Sequence, residues 1–263
     1  MSLILPRGPR LSRRALLATG SAAAGMLAMP AILRASNGPV FTHGVQSGDA
    51  SASGGMVWTR VDRPSRILLE VSTTESFADA RRVAQLTALP DSDMAVKCLI
   101  DGVAPDQRVF YRFTATDLSD VNSTGQPVTG QFRAAPTQKR DIRFGWSGDT
   151  AGQGFGIPEE GMRTYAAMSG HELDFFIHSG DTIYADGPIK AEQEHAGGVW
   201  KNVVVIPEVE KVAETLDEFR GRYKYNQMDR FVQSFCSEVP FYYQWDDHEV
   251  TNNWSPGKDL SGD

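Results

Sequence analysis

Between Phe41 and Phe132 apolar and polar side chains alternate in short runs, and this rhythm narrows the possible folds more than any other feature of the chain. The runs "GGMVWTRV", "RILLEVST", "AVKCLIDGV" and "RVFYRFTAT" read as strands, with "DRPS", "LPDSD" and "APDQ" as turns between them. In the first run Val57, Thr59 and Val61 fall on one side and Trp58 and Arg60 on the other, the period of two that a half-buried strand demands. Strands at this spacing predict an antiparallel β-sandwich of immunoglobulin-like or fibronectin type III-like size over residues 38–136. The Pro and polar residues of "FRAAPTQKRD" mark a linker after it.

From residue 140 to 263 the pattern becomes that of an α/β domain. "DIRFGWSGD", "LDFFIHSGD" and "PFYYQWDDHEV" read as strands ending in acidic residues. "PEEGMRTYAAMS" reads as a helix opened by Pro158, and "VAETLDEFRGRYKYNQM" and "DRFVQSFCSEV" read as two more. In α/β sheets the C-terminal ends of the strands are where ligands bind. Asp149, Asp181 and Asp247, with Tyr184 and His248, would gather at that edge. Two like charges at about 4 Å repel by roughly 4 kcal/mol at an effective dielectric near 20, so three such carboxylates either protonate or hold a metal. Metal is the stronger reading. Gly148 and Gly180, before the first two aspartates, allow the tight strand-to-loop turn. One Gly-Asp pair alone is an ordinary turn former; its recurrence after apolar strands carries the argument.

The first 35 residues differ from the rest. "SRRALLATGSAAAGMLAMPAIL" places Arg13 and Arg14 before a weakly apolar run interrupted by Gly and Pro, which reads as a twin-arginine export signal over residues 1–35 rather than a membrane anchor. It implies passage through the twin-arginine translocase to a periplasmic or extracellular location. Five of the 26 basic residues and none of the 33 acidic ones lie there, so the remainder is more acidic than the net charge of −7 for the whole chain. That balance excludes non-specific nucleic-acid binding, which needs a basic face, and suits a protein that holds cations. A monomer is expected. Cys98 and Cys236 read as two buried free thiols, with a disulfide as the alternative in an exported protein.

The stretches "SGDTAGQGFG", "FFIHSGDTIYADGPI", "KVAETLDEFRGRYKYN" and "YQWDDHEVTNNW" together resemble the alkaline phosphatase D (PhoD-like) family of calcineurin-like metallophosphoesterases. The preceding sandwich resembles that family's N-terminal domain. The resemblance implies a layered β-sandwich core flanked by helices, of which this chain would hold an incomplete part. It also implies a bimetallic centre that hydrolyses phosphate mono- or diesters. On matching positions, Asp149 would bind the first metal, Asp181 would bridge both, Tyr184 would bind the first as phenolate, and Asp247 would bind the second. A phenol of pKa about 10 is a good ligand only to a strongly Lewis-acidic ion, so Fe(III) is expected, with a divalent cation, Ca, beside it. His248 would stabilise the phosphoryl oxygens or protonate the leaving group. Asn252 and Asn253 either donate to the phosphate of the substrate or form the turn of the acidic loop.

The chain departs from the pattern in three places. The first motif reads "SGDTAG" where some members carry a Cys ligand, which leaves its register open by one residue; position 151 is Ala, where others carry His. The family's downstream histidine motifs have no counterpart among His43, His171, His178, His195 and His248, so a truncated chain, inactive alone, is expected. The alternative to a phosphoesterase is a non-catalytic cell-surface-binding module or relic fragment.

Overall fold

The alternating runs pair as antiparallel ladders. In the computed structural model, which describes residues 37–261, β1 (Phe41–Gly48) pairs with β2 (Gly54–Val61), and β2 with β5 (Ala95–Asp101). The export-signal reading of residues 1–35 lies outside the described residues. A second sheet runs in the order β4 (Arg81–Ala88), β3 (Ser65–Ser72), β6 (Arg108–Asp117), β7 (Val128–Arg133). Val45, Val57 and Val61 from the first sheet meet Ile67, Leu69, Phe113 and Phe132 from the second in one buried cluster. Thr59, on the same side as Val57 and Val61, is buried because its hydroxyl donates to the Gly44 carbonyl at 2.8 Å. β4 is an edge strand whose "RRVAQLTA" is largely exposed, and so it lacks the apolar rhythm that marks its neighbours.

The second part adds three short parallel strands: β8 (Phe144–Ser147), β9 (Phe175–His178) and β12 (Phe241–Tyr243). They do not form a separate sheet. β12 lies between β9 and β1 and pairs with β1 in parallel at Gly48 and Phe241, which makes one six-stranded sheet of order β5-β2-β1-β12-β9-β8. A Cβ at Gly48 would stand 2.7 Å from the Phe241 carbonyl oxygen, so the junction requires glycine there. A hairpin of β10 (Glu192–His195) and β11 (Gly198–Lys201) stands apart, with His195 at the end of its first strand.

Three α-helices complete the described residues. The expected helix at Pro158 is corrected: Pro158–Gly161 is a turn closed by Gly161 N–H to the Pro158 carbonyl, and α1 covers only Arg163–Ser169. Gly161 has φ of +77°, a left-handed conformation that ends any helix begun at Pro158. α2 (Leu216–Asn226) begins at a capping box in which Thr215 and Glu218 satisfy each other's backbone N–H. α3 (Arg230–Glu238) is capped by Asp229 and lays Val232, Phe235 and Cys236 against Tyr165, Phe176 and Phe241. Both cysteines are free thiols; Cys236 is buried as expected, whereas Cys98 is half-buried because it sits on an edge strand of the sheet. Among the described residues no helix is long and apolar enough to cross a membrane.

Candidate active site

Asp149 follows β8, Asp181 follows β9 and Asp247 follows β12, and these three strands are parallel neighbours. Parallel strands deliver their following loops to the same edge. Asp149 and Asp181 both take left-handed backbone, with φ of +60° and +51°, and the loops cross-bond: Asp149 N–H donates to the Gly180 carbonyl and Thr150 N–H to that of Asp181. Gly180, at φ +99°, lies where a Cβ would run into Asp246, so the close approach of the second and third loops depends on it.

These loops bring together the five residues expected from the sequence. The Tyr184 hydroxyl donates to Asp149 Oδ1 at 2.6 Å, and its ring lies 4.4 Å from that of His248 with 32° between the planes. The His248 backbone N–H donates to Asp181 Oδ1 at 3.2 Å. One ligand atom each from Asp181, Asp247 and His248 fall within 4.8 Å of one another. Asp181 and Tyr184 are buried, and Asp149 is exposed. Asn252 and Asn253 enter through the main chain: Asn252 N–H donates to Asp186 Oδ2 at 2.7 Å and Asn253 N–H to Asp247 Oδ2, while both side chains face solvent.

The site carboxylates are not alike: at Asp247 the effect of burial is outweighed by the Asn253 N–H and the His248 charge, which hold it below its ordinary range. Burial pushes the Asp181 carboxyl above its ordinary range. Burial, and then the Asp149 carboxylate that accepts its proton, drive the Tyr184 phenol far above its usual value. For His248, burial opposes the charged ring, but the hydrogen bond to Asp186 and the charges of Asp186, Asp181 and Asp247 together outweigh it and hold the imidazole above its ordinary value. This donor set of hard oxygens and an imidazole suits a cation, whose charge would reverse the shifts on Asp181 and Tyr184.

Several supporting residues were not read from the sequence. Buried Glu249 accepts from the backbone N–H groups of Thr182 at 2.7 Å, Asp246 at 3.0 Å and Asp181 at 3.3 Å, clamping the second loop to the third. His178, fully buried, shares its Nε2 with the Thr150 hydroxyl at 2.8 Å, and that hydroxyl also meets Tyr165 at 2.8 Å. Asp186 holds His248 Nδ1 at 2.8 Å. Most of their partners are distant in sequence, which is why no local pattern marks them. The one available signal was position: Glu249 and Asp186 sit inside "DDHE" and "GDTIYAD".

Comparison with known proteins gives a consistent result. Residues 144–263 match the family model of the PhoD-like phosphatase, and residues 27–136 match that of the PhoD-like phosphatase N-terminal domain. Alkaline phosphatase D of Bacillus subtilis (strain 168) is 28% identical over 228 residues, which make up 82% of this chain and 36% of that protein. A solved structure of PhoD matches with a TM-score of 0.69 at 24% identity, over 85% of this chain and 42% of that one. A purple acid phosphatase from yellow lupin (Lupinus luteus) seeds matches with a TM-score of 0.49 at 12% identity, over 86% of this chain and 38% of that one. The chain thus spans 36% of the curated relative and 42% of the solved PhoD chain that it matches.

Proposed function

The chain belongs to the PhoD-like phosphatase family, and from that premise we propose that its acidic sheet edge is the catalytic edge of a metal-dependent phosphoesterase acting on phosphate mono- or diesters. The observation that carries this is the convergence of Asp149, Asp181, Tyr184, Asp247 and His248 from three parallel strand ends. In this reading Asp149, Asp181 and Tyr184 would hold Fe(III), and Asp181 and Asp247 would hold a divalent cation, Ca. Bound there, the cations would polarise the phosphoryl group and acidify water towards neutral pH.

The chain's own residues do the rest. Tyr184 would give its phenolic proton to solvent when a cation binds, and Asp149 Oδ1, which accepts the hydroxyl's hydrogen bond, holds that oxygen beside the carboxylates. Glu249 keeps the Gly180–Thr182 turn and the acidic loop in register, so that the carboxylates stay aimed at one point. His248 Nε2 is the neutralising or proton-donating group towards the ester oxygens, because Nδ1 is taken by Asp186. Asn252 and Asn253 side chains, exposed beside the site, supply hydrogen bonds to phosphate. Export through the twin-arginine pathway, to the periplasm or beyond, is part of this proposal and rests on Arg13 and Arg14.

Hydrolysis of chromogenic phosphomonoesters and phosphodiesters by the metal-loaded chain tests the reading. Activity that is lost with a chelator and in Asp181→Asn supports it; activity unchanged in that variant would remove Asp181 from the site.

A further inference from the structure

Asp186 stands two residues beyond Tyr184 in "GDTIYAD", and its carboxylate is directed at one group. Both oxygens approach His248 Nδ1, at 2.9 and 2.8 Å, and Oδ2 also accepts from the Asn252 N–H at 2.7 Å. The main chain closes the same contact, with Ala185 N–H donating to the His248 carbonyl at 2.9 Å. Behind this pair lies buried Arg222, which donates from Nη1 to the Gly187 carbonyl at 2.5 Å and from Nη2 to that of Lys211. Arg222 thereby fixes the residue that follows Asp186. The other side of the imidazole rests on the Tyr184 ring, 4.4 Å away. The ring is therefore held at its edge by Asp186 and at its face by Tyr184.

A carboxylate accepts hydrogen bonds and cannot donate them, so the imidazole nitrogen that faces it carries a proton. We propose that Asp186 is a positioning residue for His248: it fixes the rotation of the ring and occupies Nδ1, so that Nε2 is the atom presented to the ester oxygens. The role rests on the phosphoesterase reading of His248 given above. Without Asp186 the imidazole would turn between two orientations about χ2, and Nε2 would no longer be confined to one position. The loss should fall on the chemical step, while ground-state binding through the acidic edge is kept.

The test uses the full chain with labelled histidine and two variants, Asp186→Ala and Asp186→Asn, the second of which keeps the size and one acceptor oxygen. Nitrogen-edited NMR of the wild type should find the proton of His248 on Nδ1, and Asp186→Ala should turn that signal into an averaged pair. In steady-state kinetics kcat should fall by about 10- to 100-fold in Asp186→Ala with KM and bound metal unchanged, and Asp186→Asn should recover part of it. A neutral wild-type ring protonated on Nε2 alone overturns the inference, with or without activity. Equal kcat in wild type and Asp186→Ala overturns it too, and leaves the phosphoesterase reading intact. No hydrolysis by the metal-loaded wild type brings down that reading, and the role of Asp186 with it, whatever the NMR shows.

Discussion

Tyr184 donates its hydroxyl proton to Asp149 at 2.6 Å across the gap between two strand-end loops, which makes the phenol and the carboxylate one unit before any cation enters. Tyr184→Phe removes the shared oxygen but keeps the ring against His248. The fold should survive, and affinity for Fe(III) should drop at least about tenfold, as seen by metal analysis after dialysis. The Fe(III)-loaded wild type should also absorb visible light through the phenolate, and the variant should not. Equal iron content in the two proteins would remove the phenol from the ligand set.

Gly152 supports the same ring from below. A Cβ at this position would fall inside the Tyr184 ring, and the backbone offers no room to retreat because Thr150 N–H is tied to the Asp181 carbonyl. Gly152→Ala should therefore displace the phenol, at a cost of about 1–3 kcal/mol typical of overpacking. Thermal unfolding and iron titration should both register the change; a variant as stable and as iron-competent as wild type would mean that the loop moves freely.

His43 predicts a pH dependence far from the site. It is buried on β1, the strand that packs against α3; burial, then the charges of Arg60 and Lys224, lower its pKa to about 4, with Asp93 opposing. The unfolded ring has a pKa of about 6.5, so between these values the unfolded chain binds the proton and the folded chain does not. Stability should thus fall as pH drops from about 6.5 to about 4, by on the order of 2 to 3 kcal/mol, and rise again with pH. Denaturant midpoints measured across this window should show the slope in wild type and a flatter one in His43→Asn.

Asp229 does two jobs with one buried carboxylate. Its Oδ1 caps α3 by accepting from Phe231 N–H at 2.9 Å and Val232 N–H at 3.1 Å, and its Oδ2 accepts from Met162 N–H at 2.9 Å just before α1. Asp229→Ala leaves all three donors without partners in a buried place, so the loss should exceed an ordinary cap and reach about 2–3 kcal/mol. Chemical denaturation measures it directly, and a loss under about 0.5 kcal/mol would show that water takes the carboxylate's place.

The sandwich strands were legible where one face of a strand is buried, as at Val57, Thr59 and Val61, because burial on one side writes a period of two into the sequence. The same logic explains what was missed. Arg81–Ala88 lies at an edge, and the Glu192–His195 and Gly198–Lys201 hairpin buries little, so neither has a rhythm to read. The helix expected at Pro158 failed on one residue, Gly161, whose left-handed backbone is not announced by its neighbours. At the site, the aspartates were visible because each ends an apolar strand. The grip of Asp186 on His248 was not, since 62 residues separate them and only the folded sheet brings them together.

The place of β12 between β1 and β9 also sets a timetable. A ribosome releases the sandwich strands first, and they can pair among themselves, but the outer edge of β1 has to wait for Phe241 before its parallel neighbour exists. Until then a nascent chain carries an open strand edge, the kind of surface that invites pairing with another molecule. Slow translation between Arg133 and Phe241 would lengthen that exposure, so the yield of properly assembled protein should depend on elongation speed across this interval more than across the sandwich itself.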